Sequence, residues 1–160
     1  MEFDDVVCVA AQTGNVDELV EALAAHQHLI DSPNPRKRLR TPLWIAALHG
    51  HVEIVEKLVE LGSHAIDTPD EYNWTPMNAA AQSGHISMIE TLIRLGSVAI
   101  DSPTINDWAP MFTAAANGHA SVIETLVRLG STAIDTPDND GMTPMHAAAC
   151  RGHVSAIETL

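Results

Sequence analysis

Apolar side chains recur along the chain in short blocks at helical spacing, and residues that end helices separate these blocks. Residues 52–61 place apolar side chains on one helical face, and Gly62 follows where a left-handed backbone would end the helix. Upstream, Thr41 and Pro42 supply an N-cap and a first helical position, and Gly50 ends a short apolar run. The pattern therefore predicts two short helices joined by a tight connection.

This helix pair recurs with a period of 34 residues. The dipeptides that begin the first helix are Thr41-Pro42, Thr75-Pro76, Ala109-Pro110 and Thr143-Pro144, and those that end it are Gly50-His51, Gly84-His85, Gly118-His119 and Gly152-His153. Helices this short are marginal alone in water, so each pair must bury its apolar stripe against its neighbours. The sequence therefore predicts a solenoid of stacked helix pairs, in which small alanines let neighbouring first helices approach closely.

A polar segment connects each helix pair to the next. Residues 67–74 are rich in Pro, Asp and Asn, and one equivalent position is occupied by Asn73, Asp107 and Gly141. These residue types tolerate a positive φ, which predicts a tight turn in each connection. The first connection, residues 32–40, is two residues longer than the others, so we expect an elongated first turn.

The recurring motif Thr-Pro-Leu-x-x-Ala-Ala-x-x-Gly-His, followed by Ile-Val-x-x-Leu-Val and Leu-Gly, resembles the ankyrin repeat. The resemblance covers essentially the whole chain, and residues 138–146 are the closest copy. It implies an all-α ankyrin-repeat solenoid of helix-turn-helix pairs with protruding β-turn or hairpin fingers. The chain departs from the family in three ways. Its repeat is one residue longer, Ala109 replaces the usual Thr, and the usual His is kept only at His146.

We predict a single ankyrin-repeat domain over residues 1–160. Residues 1–40 are expected to form an N-terminal capping repeat with an elongated finger, and residues 143–160 an incomplete C-terminal repeat. The full repeats between them are 41–74, 75–108 and 109–142. Because solenoids need a polar terminal unit, we expect either a fragment of a longer array or a bare C-terminal repeat. We expect a monomer, with end-to-end association as an alternative at that repeat.

Charge and cysteine usage narrow the class of partner. The chain has 21 acidic and 8 basic residues, a net charge of -13, which disfavours binding to nucleic-acid phosphates. No apolar run approaches the length of a membrane span, and no signal peptide is recognisable, so no membrane partner is expected. Cys8 and Cys150 are predicted to be reduced thiols. We therefore expect a cytoplasmic protein, and the nucleus or a host-cell cytosol would also suit such an array.

Comparing the repeats with one another separates framework positions from variable ones. The variable positions fall at the turn tips and along one side of the first helix. In ankyrin-like proteins these positions line the concave surface that binds other proteins, so the resemblance implies a protein or peptide partner there. The candidate binding residues are Arg36, Lys37, Arg38, Arg40, Tyr72, Trp74, Ile105, Trp108, Met142, His49 and Arg151.

Two groups of candidates have more than one interpretation. Arg40, Trp74, Trp108 and Met142 share one turn position. Their large side chains either form a ladder of interface anchors for a peptide or protein edge, or pack against the next turn and stiffen the stack. The basic residues within 36–40 either form a solvated loop or attract a partner's acidic segment, or an import receptor that reads a short basic run.

Catalysis, cofactors and metal binding are not expected. His51, His85, His119 and His153 fall at one framework position, where hydrogen bonding to the connecting backbone accounts for them. A nucleophilic Cys150 would lie near the C-terminal end of a helix, whose dipole disfavours a thiolate. The leading hypothesis is a non-catalytic protein-interaction module. The alternative is a structural spacer segment of a longer scaffold or effector protein.

Two further expectations concern stability. Ala109 lacks a capping hydroxyl, so its helix should have the weakest N-cap. Oppositely charged residues four apart on the second helices should form ion pairs on a solvated outer face. These pairs are Glu53–Lys57, Glu90–Arg94 and Glu124–Arg128.

Overall fold

A computed structural model describes residues 4–34 and 38–160, and this part of the chain consists of paired α-helices. The helices are α1 (Asp4–Thr13), α2 (Val16–Ala25), α3 (Pro42–His49), α4 (Val52–Glu60), α5 (Pro76–Ser83), α6 (Ile86–Arg94), α7 (Pro110–Ala116), α8 (Ala120–Arg128), α9 (Pro144–Arg151) and α10 (Val154–Thr159). The odd-numbered helices are called first helices and the even-numbered ones second helices. Those residues contain no strand, and the predicted all-α solenoid is confirmed.

The Thr-Pro dipeptides begin first helices as the sequence predicts. Thr41 Oγ1 accepts a hydrogen bond from the backbone N–H of Trp44 at 3.1 Å, and Thr75 Oγ1 accepts one from Asn78 at 3.2 Å. Ala109 makes no side-chain hydrogen bond at the start of α7. The predicted absence of this cap is therefore confirmed.

The helices form two layers around one elongated core. The first helices pack against one another in chain order, and the second helices lie in the layer behind them. Alanine pairs of the first helices are completely buried, namely Ala46, Ala47, Ala80, Ala81, Ala114 and Ala115. Branched side chains of the second helices are also completely buried, among them Ile54, Leu58, Ile89 and Leu92. The small alanines thus set the close approach that the sequence predicts.

A histidine joins each of three helix pairs to the pair before it. His85 Nε2 donates a hydrogen bond to the backbone carbonyl of Leu48 at 3.2 Å, and its ring lies against Gly50. His51 and His119 make the same bond to the preceding repeat, at 3.0 and 2.9 Å. The predicted bond to backbone is confirmed for these three histidines, but it links successive repeats rather than two helices of one repeat.

A serine–aspartate pair makes a second polar link between successive repeats. Ser97 Oγ donates to Asp67 Oδ1 at 2.5 Å, and the backbone N–H of Val98 donates to Asp67 Oδ2 at 3.0 Å. The same arrangement joins Ser63 to Asp31 and Ser131 to Asp101. Short 3₁₀ helices follow the second helices at Ala65–Asp67, Ala99–Asp101 and Ala133–Asp135. Each of these carboxylates therefore fixes the residues that directly precede the 3₁₀ helix of the next repeat.

The charged outer face differs from the prediction. Its basic side chains bond across repeats or three residues along a helix, so the predicted pairs four residues apart are wrong. The observed pairs are Arg94–Glu56, Arg128–Glu90 at 2.5 Å and Lys57–Glu60 at 3.0 Å. Each arginine forms its ion pair with a glutamate of the preceding second helix, because that glutamate lies beside it in the stack.

Candidate functional site

Four turns connect the helix pairs and are called fingers 1 to 4. Their described residues are 34 with 38–40, 70–74, 104–108 and 138–142. In finger 2, Asp70 Oδ1 accepts the backbone N–H of Tyr72 at 2.9 Å and of Trp74 at 3.1 Å. Thr104 and Asp138 accept the equivalent bonds in fingers 3 and 4. A side-chain oxygen at this position therefore closes the turn. The sequence analysis missed this role, although these three residues recur at the 34-residue period.

The finger tips have the predicted left-handed backbone. Asn73, Asp107 and Gly141 have φ values of 58°, 59° and 76°. In finger 1, Arg38 and Leu39 have φ values of 61° and 59°, so two consecutive residues are left-handed. Fingers 2 to 4 each have one such residue, so the backbone of finger 1 follows a different path at Arg38 and Leu39.

Backbone hydrogen bonds join the fingers to one another. The N–H of Glu71 donates to the carbonyl of Arg38 at 3.1 Å, and the N–H of Ile105 donates to that of Tyr72 at 3.1 Å. Finger 4 bonds to finger 3 in the same way. The tips are therefore held in fixed relative positions, as a rigid recognition surface requires.

Arg40 is held between two fingers and a helix. Its Nε lies 3.2 Å from Asp70 Oδ2, and the Asp70 side chain is completely buried. The guanidinium carbon lies 3.8 Å from the centre of the Trp44 ring, a cation–π contact. Trp44 Nε1 in turn donates to the backbone carbonyl of Trp74 at 2.7 Å. The sequence identified Arg40 as a site candidate but missed Asp70 and Trp44, which fix its position.

Arg38 extends over finger 2 from the first finger. Its guanidinium carbon lies 5.1 Å from the centre of the Tyr72 ring, and its Nε lies 3.9 Å from Glu71 Oε1. The side chain is 59% exposed, so these contacts orient it without burying its charge. Arg38 and Tyr72, both predicted site residues, therefore lie side by side.

Two adjoining grooves lie on either side of these arginines. The finger groove has a volume of about 230 Å³, and its lining includes Arg38, Arg40, Tyr72, Trp74 and Ile105. The helix groove has a volume of about 250 Å³, and its lining includes Arg38, Arg40, Trp44, Leu48 and His49. Six of the predicted site residues thus border one continuous surface, because both grooves share the two arginines.

The two tryptophans of the predicted ladder contact each other and the next repeat. The rings of Trp74 and Trp108 meet edge to face with centroids 6.5 Å apart, and Trp108 stacks on Phe112 at 5.1 Å. Trp108 Nε1 donates to Asp138 Oδ2 at 3.1 Å. Met142 packs on the same cluster as Trp108 and Phe112. Each of these half-buried side chains therefore has a structural contact, and Trp74 also borders the finger groove.

The two other described candidates both lie on first helices, and only His49 borders a groove. Arg151 is on α9, where its Nη1 donates to the backbone carbonyl of Ala116 at 2.9 Å, well along the stack from the two grooves. His49 is exposed on α3, and its ring stacks on His51. Arg36 and Lys37 lie outside the described residues.

Metal-ligating side chains do not cluster within the described parts of the chain. No group of three or more His, Cys, Asp or Glu side chains there is arranged to hold a metal ion. His146, one turn before Cys150 on α9, accepts the backbone N–H of Thr143 at 3.2 Å through Nδ1. The histidine is thus part of a helix cap.

The chain matches a known protein family over most of its length. A family model described as ankyrin repeats (3 copies) matches residues 7–104 and 95–160. A search among curated proteins finds no match. Among the residues with described structure, every helix is too short or too polar to cross a membrane.

Proposed function

The chain belongs to the ankyrin-repeat family, and we propose that its finger face binds a segment of another protein. The finger face means the tips of fingers 1 to 4 together with the adjoining side of the first helices. Ankyrin repeats are generally protein–protein interaction modules and typically non-catalytic. The observation that supports this face most directly is that Arg38, Arg40, Tyr72, Trp74 and Ile105 border one groove.

The groove has the features of a recognition surface. Tyr72 and Ile105 are 38% and 51% exposed, so each offers apolar area that a partner could bury. Hydrogen bonds between the fingers hold this area in place before a partner arrives. A preformed surface loses less conformational entropy on binding, which favours affinity.

A structural spacer is the second candidate function. Aromatic contacts between neighbouring repeats favour this function, because they stiffen the stack. These contacts are those of Trp74 with Trp108 and of Trp108 with Phe112. The recurring histidine and serine–aspartate links between repeats have the same effect. A spacer would tolerate changes in exposed finger side chains, which separates the two proposals.

A displayed library of short random peptides tests the interaction proposal. We expect the chain to enrich a set of peptides and the Tyr72→Ala, Ile105→Ala double variant to lose most of them, because both exposed groove side chains are removed. The matched control is Val98→Ala with Val127→Ala, which removes exposed apolar side chains that lie outside the fingers and the groove linings. Circular dichroism melting curves would establish that both double variants remain folded.

Either of two results would count against the finger face. If the groove variant and the control variant kept the same peptides, the binding surface would lie elsewhere. If the chain enriched no peptide, the spacer would become the better account.

We also propose that the protein acts as a monomer in the cytoplasm, with the nucleus or a host-cell cytosol as alternatives. Cys8 and Cys150 form no disulfide in the described structure, which agrees with a reducing compartment. Sedimentation velocity over a range of protein concentrations tests the monomer, since end-to-end association would raise the sedimentation coefficient with concentration.

A further inference from the structure

Half of the chain's basic residues fall within residues 36–40 of the sequence, and two of them, Arg38 and Arg40, border both grooves. We infer that the two grooves together hold one extended peptide segment that carries carboxylate side chains next to large apolar ones. This inference rests on the proposed function, because it names the chemistry of the partner that the finger face would bind.

The two arginines are positioned to receive carboxylates. Arg40 is fixed by its contact with the buried Asp70 and by the Trp44 ring beneath its guanidinium. Arg38 is oriented by Tyr72. In both internal ion pairs the close contact to the carboxylate is made by Nε. A guanidinium can therefore keep its internal partner and present its outer N–H donors to a carboxylate of the peptide.

Apolar side chains border the arginines in both directions. Tyr72 and Ile105 offer exposed area in the finger groove, and Trp44 and Leu48 contribute to the lining of the helix groove. A peptide that crosses from one groove to the other would meet apolar surface, then the arginines, then apolar surface again. Its matching sequence has acidic residues flanked by leucine-like or aromatic ones.

The charge elsewhere on the chain favours a short acidic segment over an extended polyanion. The net charge is -13, so attraction to acidic groups is confined to the neighbourhood of finger 1. Arg94 and Arg128 lie on second helices, where each is paired with a glutamate. A nucleic acid needs cations along a longer path, whereas a few carboxylates fit within the Debye length of about 8 Å around the two arginines.

Peptide selection followed by affinity measurement tests the inference. Short random peptides would be displayed and selected on the chain, and the best would be synthesised with a fluorescent label for anisotropy titrations. Arg38→Gln is the test variant and Arg94→Gln the control. These arginines are 59% and 58% exposed and each contacts one glutamate, so the two substitutions change net charge and exposed area alike.

We expect the selected peptides to be enriched in Asp and Glu beside apolar residues, relative to the unselected library. Arg38→Gln should weaken their binding about three- to tenfold, since one charge-assisted contact is lost, and Arg94→Gln should leave it unchanged. Replacing the peptide's glutamates by glutamines should produce a similar loss. Added NaCl should weaken binding to the wild-type chain more than to Arg38→Gln.

Other outcomes overturn the inference in distinguishable ways. In one outcome the selected peptides lack acidic enrichment, and their affinity falls with Tyr72→Ala and Ile105→Ala but not with Arg38→Gln. This outcome would refute the acidic partner and keep the proposed function. Peptides insensitive to every finger-face variant, or no selected peptides, would refute both. A labelled RNA oligonucleotide that bound as tightly as the best peptide, and depended on Arg38, would assign the arginines to phosphate instead.

Discussion

At the scale of single residues, the hydroxyl of Thr113 differs from other buried polar groups in its hydrogen bonding. Thr113 lies in α7 and is almost completely buried, and its Oγ1 has no hydrogen-bond partner among the described residues. The equivalent positions in the other full helix pairs are the apolar residues Ile45, Ala79 and Ala147. A buried hydroxyl without a partner loses its bonds to water and gains none in return.

Thr113→Val should therefore stabilise the chain by about 1 kcal/mol, because valine keeps the shape and removes the unpaired hydroxyl. The matched control is Thr125→Val. Thr125 is similarly buried, but its Oγ1 donates to the carbonyl of Ser121 at 2.8 Å, so its removal should lower stability. Urea denaturation would measure both. The assignment of an unpaired hydroxyl would be wrong if the two variants moved the midpoint in the same direction.

A second residue-scale prediction concerns the missing cap of α7. Ala109→Thr should raise the free energy of unfolding by roughly 0.5 to 2 kcal/mol, because the new hydroxyl can accept the backbone N–H of Phe112. Thr41 and Thr75 make this bond at equivalent, equally buried positions, so the site has room for the side chain. Ala109→Val adds similar bulk without an acceptor and should give no such gain. An unchanged denaturation midpoint for the threonine variant would contradict the prediction.

Sequence patterns predicted residue roles well where the cause is local. The caps at Thr41 and Thr75 and the positive φ of Asn73 depend on a few neighbouring residues, and each was predicted correctly. The role of Asp70 was missed, because a carboxylate in a turn is ordinarily read as solvated. Its complete burial becomes apparent only when Arg40 and the next finger are in place.

At the scale of elements, close approach between a glycine and the next repeat's histidine sets the spacing of helix pairs. Gly50 ends α3 with φ of 74°, and a Cβ built there would lie 2.9 Å from Nδ1 of His85. The same contact recurs between Gly14 and His51, and between Gly84 and His119. Glycine is therefore required for two reasons, its left-handed backbone and the space that the ring occupies.

Gly50→Ala should destabilise the chain by more than the cost of about 1 kcal/mol that alanine incurs in the left-handed region. The additional part comes from the clash with the His85 ring. In a His85→Ala background this part should disappear, so the same glycine substitution should cost less there. Chemical denaturation of the four chains in this double-mutant cycle measures the coupling. Equal costs in both backgrounds would show that the ring does not restrict the position.

The error in the outer-face ion pairs has an element-scale cause. A helix considered alone offers Arg94 only Glu90, four residues earlier. In the stack, Glu56 of the preceding second helix is also adjacent, and the arginine bonds to it. Glu90 is then available to Arg128 of the following helix. The 34-residue period also allows ion pairs between neighbouring second helices. Whether these pairs form instead of pairs within one helix depends on the spacing of the helices in the assembled solenoid.

At the scale of the whole molecule, the repeat period explains why the candidate site could be predicted in outline. Residues one period apart, such as Glu71 and Ile105 or Tyr72 and Asn106, were expected side by side in successive fingers. Tyr72 and Ile105 were therefore expected on one surface, and they border one groove. The position of Arg38 was less predictable, because finger 1 has two additional residues and an altered backbone. Its contact with Tyr72 follows from that local geometry.

The two ends of the described solenoid differ in how much apolar surface they bury. The pair α1 and α2 buries Val7, Cys8, Leu19 and Leu23 almost completely. The buried residues of α9 and α10 are small, namely Pro144, Ala147, Ala148 and Ala156. Because burial of large side chains contributes most to hydrophobic stabilisation, the α9–α10 pair should open more readily.

Hydrogen exchange under native conditions should therefore show an asymmetric solenoid. Backbone amides of α9 and α10 should exchange at least about tenfold faster than those of α1 and α2, and those of α5 to α8 should be the slowest, since these helices have packed neighbours on both sides. The pair α1–α2 serves as the internal control, because simple fraying of exposed ends would accelerate both ends equally. Mass spectrometry of peptic fragments can resolve these segments. Uniform exchange along the chain would mean that the 160 residues open as one cooperative unit, and the burial difference would then have no local effect on stability.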